Sequence, residues 1–135
     1  MLSGRRSSFR RSLRPARNAA FEARQTLEDL REQIGDDLLE RMRLVVTEVI
    51  SNSLKHAQLS ASQAIELQVW VTPELVRVEI TDQGPGFDPV AARRHPHKSA
   101  SGGWGLWLVD YLTDRWGVDL SHSTRVWLEF DRNSD

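Results

Sequence analysis

The sequence predicts an α+β fold, a two-layer sandwich with helices on one face of a mostly antiparallel sheet. Two stretches within the first 57 residues repeat their apolar positions at spacings of three and four, the period of a helix. Two later regions, residues 65–80 and 118–130, carry strand-like apolar residues in pairs of short runs and read as hairpins. The chain has 135 residues, 39% hydrophobic and 27% charged, which is enough to bury one core.

Met1 to Ser8 is rich in Ser and Arg and reads as a disordered basic tail. The domain proper is expected over residues 9–131, with 132–135 as a second tail. Phe9 to Leu13 suits a short edge strand. Pro15 then opens a helix, a position proline favours, with Ala16, Ala20, Ala23, Leu27, Leu30 and Ile34 facing inward. Gly35 stops it, and Asp36 or Asp37 caps a second helix running to Ala57. Leu38, Met42, Val45 and Val49 form its apolar face. Gln58 to Ser62 reads as a loop. Ile65, Leu67, Val69 and Val71 alternate as a half-buried strand, Thr72-Pro73-Glu74 turns the chain, and Val76, Val78 and Ile80 return. Asp82 to Gly103 is rich in Gly and Pro and has no apolar period. A helix is expected from Trp104 to Arg115 with Gly117 as its stop. Val118 and Leu120 then pair with Val126, Leu128 and Phe130.

Composition narrows the function. With no cysteine, disulfides and thiolate metal sites are excluded. No apolar run approaches the roughly 20 residues that span a bilayer. The basic N-terminus (Arg5, Arg6, Arg10, Arg11, Arg14) is not followed by an apolar signal core, so a cytoplasmic location is expected. A net charge of −1 gives no bulk attraction to nucleic acid. His95 and His97 read as part of a polar loop rather than a metal site.

Three motifs carry chemistry. Glu48 and Asn52 lie four apart on the second helix, about 6 Å along its axis, at the border of its apolar stripe. A carboxylate and a carboxamide there offer oxygen ligands for magnesium and a general base. Asp82-Gln-Gly84-Pro-Gly86-Phe follows a strand directly; its glycines let backbone approach a ligand, and the aspartate can accept from a base amino group. Gly102-Gly103-Trp104-Gly105-Leu106 opens a helix, where free N–H groups suit phosphate. No Lys-Ser/Thr pair follows it, so it is not a Walker A loop.

In this order and on these elements, the three motifs resemble the boxes of the GHKL ATPase superfamily, whose histidine-kinase-like (Bergerat) fold is the sandwich predicted above. A histidine kinase needs a helical hairpin bearing its phospho-acceptor, and the four histidines here do not fit one. Gly102-Gly-Trp-Gly-Leu-Trp-Leu-Val-Asp110, then Asp114-Arg-Trp-Gly117, looks like the actinobacterial branch of the anti-sigma-factor serine kinases. The resemblance implies ATP with Mg²⁺ as cofactors, Glu48 as general base toward a partner's serine, and Asn52 as the magnesium ligand. It implies that Asp82 reads adenine, that Gly84 and Gly86 shape that pocket, and that Gly103, Gly105 and Leu106 admit the phosphates. Thr124 is implied near the base, although Ser123 replaces the glycine that usually precedes the family's threonine. Arg93, Arg94 and Lys98 could equally screen phosphate charge or be solvated. The implied partners are a sigma factor and an anti-anti-sigma antagonist, with a homodimer left open. Two other readings stay open: a non-catalytic ATP-binding module and a hydrolytic ATPase of the superfamily.

Overall fold

The computed structural model describes residues 6–56, 63–84 and 105–132. Its elements run β1 (Ser7–Leu13), α1 (Ala19–Leu27), a 3₁₀ turn (Glu28–Leu30), α2 (Arg31–Ile34), α3 (Asp36–His56), β2 (Ile65–Val71) and β3 (Leu75–Asp82). They end with α4 (Gly105–Leu112), β4 (Arg115–Asp119) and β5 (Thr124–Asp131). The five strands form one sheet in the order β1-β2-β3-β5-β4, and every neighbouring pair is antiparallel.

Alternation decides which face is covered. Leu67 and Val69, Val76, Val78 and Ile80, and Val126, Leu128 and Phe130 all point to the helix side and are buried. From above, α3 meets them with Leu38, Leu39, Met42, Val45, Val46, Val49 and Ile50. Each such side chain contributes about 1.5–3 kcal/mol when taken fully out of water. α1 and α4 flank α3 within the same layer. The predicted α+β sandwich with helices on one face is the fold observed.

The boundaries differ from expectation at several points. β1 begins at Ser7, so Ser7 and Ser8, expected in the basic tail, belong to the sheet. α1 starts at Ala19 rather than Pro15, because residues 14–18 form a turn closed by Ala19 N–H to the Ala16 carbonyl. Its buried face is Ala19, Ala23 and Leu27, leaving Ala16 exposed and Ala20 half-buried. Gly35 does stop the first helical segment, with φ of 89°, a conformation glycine tolerates without cost. Asp36 opens α3, and its carboxylate accepts from Arg31. Arg132 is not tail: its N–H reaches the Glu74 carbonyl, and its guanidinium donates to the carbonyls of Thr72 and Gln33. The expected loop at 58–62 lies outside the described residues.

The largest correction concerns Gly117. It does not end a helix; α4 stops at Leu112, and Gly117 sits within β4 opposite Trp127. A Cβ there would lie 2.7 Å from the Trp127 indole, so only glycine admits that ring. Gly117→Ala is therefore expected to cost about 1–3 kcal/mol through overpacking, read as a lower midpoint in urea unfolding at unchanged slope. Leu120, expected in the strand, lies beyond it and is exposed.

The open face of the sheet carries an ion network over Trp127, with the Arg77 guanidinium 4.9 Å from the ring centroid. Glu129 accepts from Arg115 and from Arg77, both at 2.7 Å. The Arg115 hydrogen bond, helped by Arg77 and opposed by burial, holds the Glu129 carboxyl below its ordinary value. A carboxylate with a depressed folded pKa stabilises the fold above its unfolded value, and that contribution is lost as pH falls through the folded value. Thermal midpoints should thus decline on acidification below about pH 4.5, and Glu129→Gln should show less of that decline than the wild type.

Candidate functional site

Asp82 is the last residue of β3 and is 4% exposed. A carboxylate placed so deeply needs hydrogen-bond donors, and both of its oxygens have one. The Ser53 hydroxyl donates to Oδ2 at 2.6 Å, and the Gly84 N–H donates to Oδ1 at 2.7 Å. Across the sheet, Asp82 pairs in register with Thr124, the first residue of β5. The Thr124 hydroxyl donates 2.9 Å to the Gly84 carbonyl, so one short turn is held from both sides. Ser123 in place of glycine does not prevent this geometry. Each carboxylate oxygen of Asp82 retains acceptor capacity beyond the bond it already makes.

Ser53 ties α3 to the end of β3, yet sequence reasoning did not single it out. Its signal was present: it lies four residues after Val49, where the apolar stripe calls for another hydrophobic side chain. A polar residue aimed at the core needs a partner, and the partner is Asp82. Asn52, one residue earlier, is half-buried on the same helix, as is Glu48 one turn before it. Among the described residues neither side chain makes a hydrogen bond or an ion pair.

Glu48 opens onto a cleft of about 500 Å³ between α1, α3 and α4, whose other walls include Arg24, Leu44, Thr47, Trp107 and Leu108. The Arg24 guanidinium donates to the Thr47 hydroxyl at 3.1 Å. α3 therefore carries Ser53 to the buried aspartate and Glu48 to this cleft. Gly105 and Leu106 are the first two residues of α4, so the third motif does begin a helix. Gly86, Gly103, Arg93, Arg94, His95, His97 and Lys98 lie outside the described residues.

The donor set can be tested against the expected cofactors. Asp82 suits an adenine amino group, since a buried acceptor is held rigidly by two donors. Among the described residues no three acids or histidines cluster as a metal cage. Magnesium does not require one, because it keeps several waters and takes one or two protein oxygens beside the phosphates. The Asn52 amide oxygen, without a partner among the described residues, fits that role.

A family model described as the histidine kinase-like ATPase domain matches residues 12–130. The serine-protein kinase RsbW of Staphylococcus epidermidis is 30% identical over 89 residues, covering 58% of this chain and 56% of that protein. The chain thus spans little more than half the length of the curated relatives it matches. Among solved structures, the RsbU and RsbW domains of Rv1364c from Mycobacterium tuberculosis align with a TM-score of 0.70 at 17% identity, covering 95% of this chain and 34% of that one. The histidine kinase domain of the blue-light activated kinase EL346 from Erythrobacter litoralis gives 0.57 at 20% identity, covering 83% and 58%. At these identities the structural likeness is one of fold. The match over residues 12–130, on a sandwich whose sheet ends in a buried aspartate, makes this chain a member of the histidine kinase-like ATPase domain family.

Proposed function

We propose that the chain is an ATP-binding anti-sigma regulatory factor that phosphorylates a serine of an anti-anti-sigma partner. The observation that carries the nucleotide half is Asp82, a 4%-exposed carboxylate locked by Ser53 and Gly84 at the C-terminal end of a strand. Glu48 carries the kinase half, as a half-buried carboxylate that has no partner among the described residues and borders an open cleft. The likeness to the Staphylococcus serine-protein kinase supports this half.

In this reading Asp82 accepts from the adenine amino group, Gly84 and Gly86 keep that wall low, and Thr124 fixes the turn beside the base. Gly103, Gly105 and Leu106 would line the phosphates, and Asn52 would hold magnesium. When bound, ATP supplies the phosphoryl group and magnesium offsets its charge. Glu48 receives the acceptor serine's proton, a role typically worth about 10²–10⁴ in rate. A cytoplasmic site of action agrees with this chemistry, and no described helix is long and apolar enough to cross a membrane. By resemblance, the ATP-bound form would hold a sigma factor until the unphosphorylated antagonist displaces it.

Asn52→Ala should leave the fold intact while ATP affinity measured with magnesium drops to the value measured in EDTA. Magnesium enhancement equal to that of the wild type would remove Asn52 from the metal role. The reading as a whole is tested by incubating the chain with γ-labelled ATP and the anti-anti-sigma proteins of the same genome. Label on a partner serine supports it. Binding without turnover would instead favour a regulatory ATP-binding module, and free phosphate a hydrolytic ATPase.

A further inference from the structure

Five large apolar side chains are exposed among the described residues: Phe21, Leu44, Trp107, Tyr111 and Leu120. Single exposed apolar residues need no explanation, but grouped ones do. Three of the five gather around one opening. Leu44 (53% exposed) and Trp107 (38%) line the Glu48 cleft. Tyr111, 72% exposed, stacks on Trp107 one helical turn away, with ring centroids 5.4 Å apart and planes 7° from parallel. The Phe21 ring lies 5.9 Å from the guanidinium of Arg24, another wall of the cleft. The core does not require this arrangement, since α4 already packs Val109 inward.

We propose that the ledge formed by Leu44 on α3 and the Trp107–Tyr111 stack on α4 is the docking surface for the protein that presents the acceptor serine. It would anchor a large apolar side chain neighbouring that serine. This rests on the reading of Glu48 as the base. Glu48 lines the same cleft as Leu44 and Trp107, so a segment that brings a hydroxyl to that carboxylate can rest on both side chains. The charge of the rim argues for a protein occupant: Arg24 and Arg43 stand against Glu40 and Glu48, giving no net attraction to a polyanion such as nucleic acid or an acidic lipid surface. Rigid aromatic groups with apolar neighbours also have the composition of interface anchors. The stack keeps both rings ordered before binding, which lowers the entropic cost of association.

The test is binding, so that it does not depend on catalysis. Wild type, Leu44→Ala, Trp107→Ala, Tyr111→Ala and Glu48→Gln, all as the full chain loaded with ADP and magnesium, are titrated calorimetrically with each anti-anti-sigma protein of the same genome. Leu44 and Tyr111 are more than half exposed, so their truncation leaves the core intact even if the Trp107 variant proves unstable. The expected result is an antagonist that binds wild type and Glu48→Gln alike and loses roughly tenfold or more in affinity with the ledge variants, at unchanged ADP affinity. Unchanged antagonist affinity in the Leu44 and Tyr111 variants would overturn the proposal, as would the absence of any antagonist binding to the wild type. A wild-type dimer that these variants dissociate in sedimentation would assign the ledge to a second copy and overturn it too. Label transfer that persists in the ledge variants with an unchanged acceptor KM would overturn the ledge while leaving the kinase reading standing.

Discussion

Glu48→Gln is expected to cut phosphoryl transfer to the antagonist by roughly 10²–10⁴, the range lost with a general base, while ATP binding stays near the wild-type value. Glutamine keeps the size and the hydrogen-bonding capacity of the side chain and removes the basic oxygen. Since Glu48 makes no hydrogen bond or ion pair among the described residues, the substitution breaks no contact there, and retained nucleotide binding would show that a loss of rate is not unfolding. The variant should keep its sigma partner when alone, release it to the antagonist, and fail to reset, because resetting needs the phosphorylated serine. Single-turnover transfer and nucleotide calorimetry on the same preparation separate the two effects. Transfer at the wild-type rate by a folded Glu48→Gln chain would falsify the base role and favour the module that acts by occupancy. If transfer and binding fell together, Glu48 would be structural.

Asp82→Asn is the second substitution with a large expected effect. Asparagine can keep both internal bonds: its Oδ1 still accepts from the Gly84 N–H, and its amide can donate to the Ser53 hydroxyl, which can accept as readily as donate. The turn should therefore hold, and the missing group is the acceptor offered to the base. A hydrogen bond to a charged group contributes about 1.5–3 kcal/mol, so ATP affinity should fall at least about tenfold. Guanine presents a carbonyl at the ring position where adenine presents its amino group, so the preference for ATP over GTP should shrink as well. An unaltered ATP-to-GTP ratio would count against Asp82 as the reader of the base. Asp82→Ala is the contrasting case: the buried Ser53 hydroxyl and Gly84 N–H lose their acceptor at a cost of about 1–3 kcal/mol each, and stability should fall along with affinity.

Much of the fold was legible because its signals are local. The alternation at Ile65–Val71 and Val76–Ile80 and the stripe at Leu38, Met42, Val45 and Val49 each belong to one element, and each side chain proved buried. What was misread depends on distant residues. Gly117 looks like a helix stop until the Trp127 indole is seen to occupy the space of its Cβ. α4 was expected to run to Arg115, but Asp114 N–H bonds to the Glu129 carbonyl and Arg115 enters the sheet, so pairing with β5 ends the helix early. The choice between Ala16 and Ala19 as the first inward residue of α1 was ambiguous because the segment is rich in alanine and both choices satisfy helical spacing.

The site shows the same division. Glu48, Asn52, Asp82 and Thr124 could be named from motif order, and the last two do meet across β3 and β5. Ser53, which locks Asp82, and the ledge of Leu44, Trp107 and Tyr111 required coordinates. The partner of Ser53 lies 29 residues away, and the ledge combines side chains of two helices.

The most direct test of the central claim, that the chain holds MgATP with its base at Asp82, is a calorimetric titration of the wild-type chain with ATP and with GTP, each with magnesium and with EDTA. The predicted result is one nucleotide per chain, tighter for ATP than for GTP, with ATP affinity raised by magnesium. Equal affinity for the two nucleotides, or no saturable binding of ATP, would contradict it.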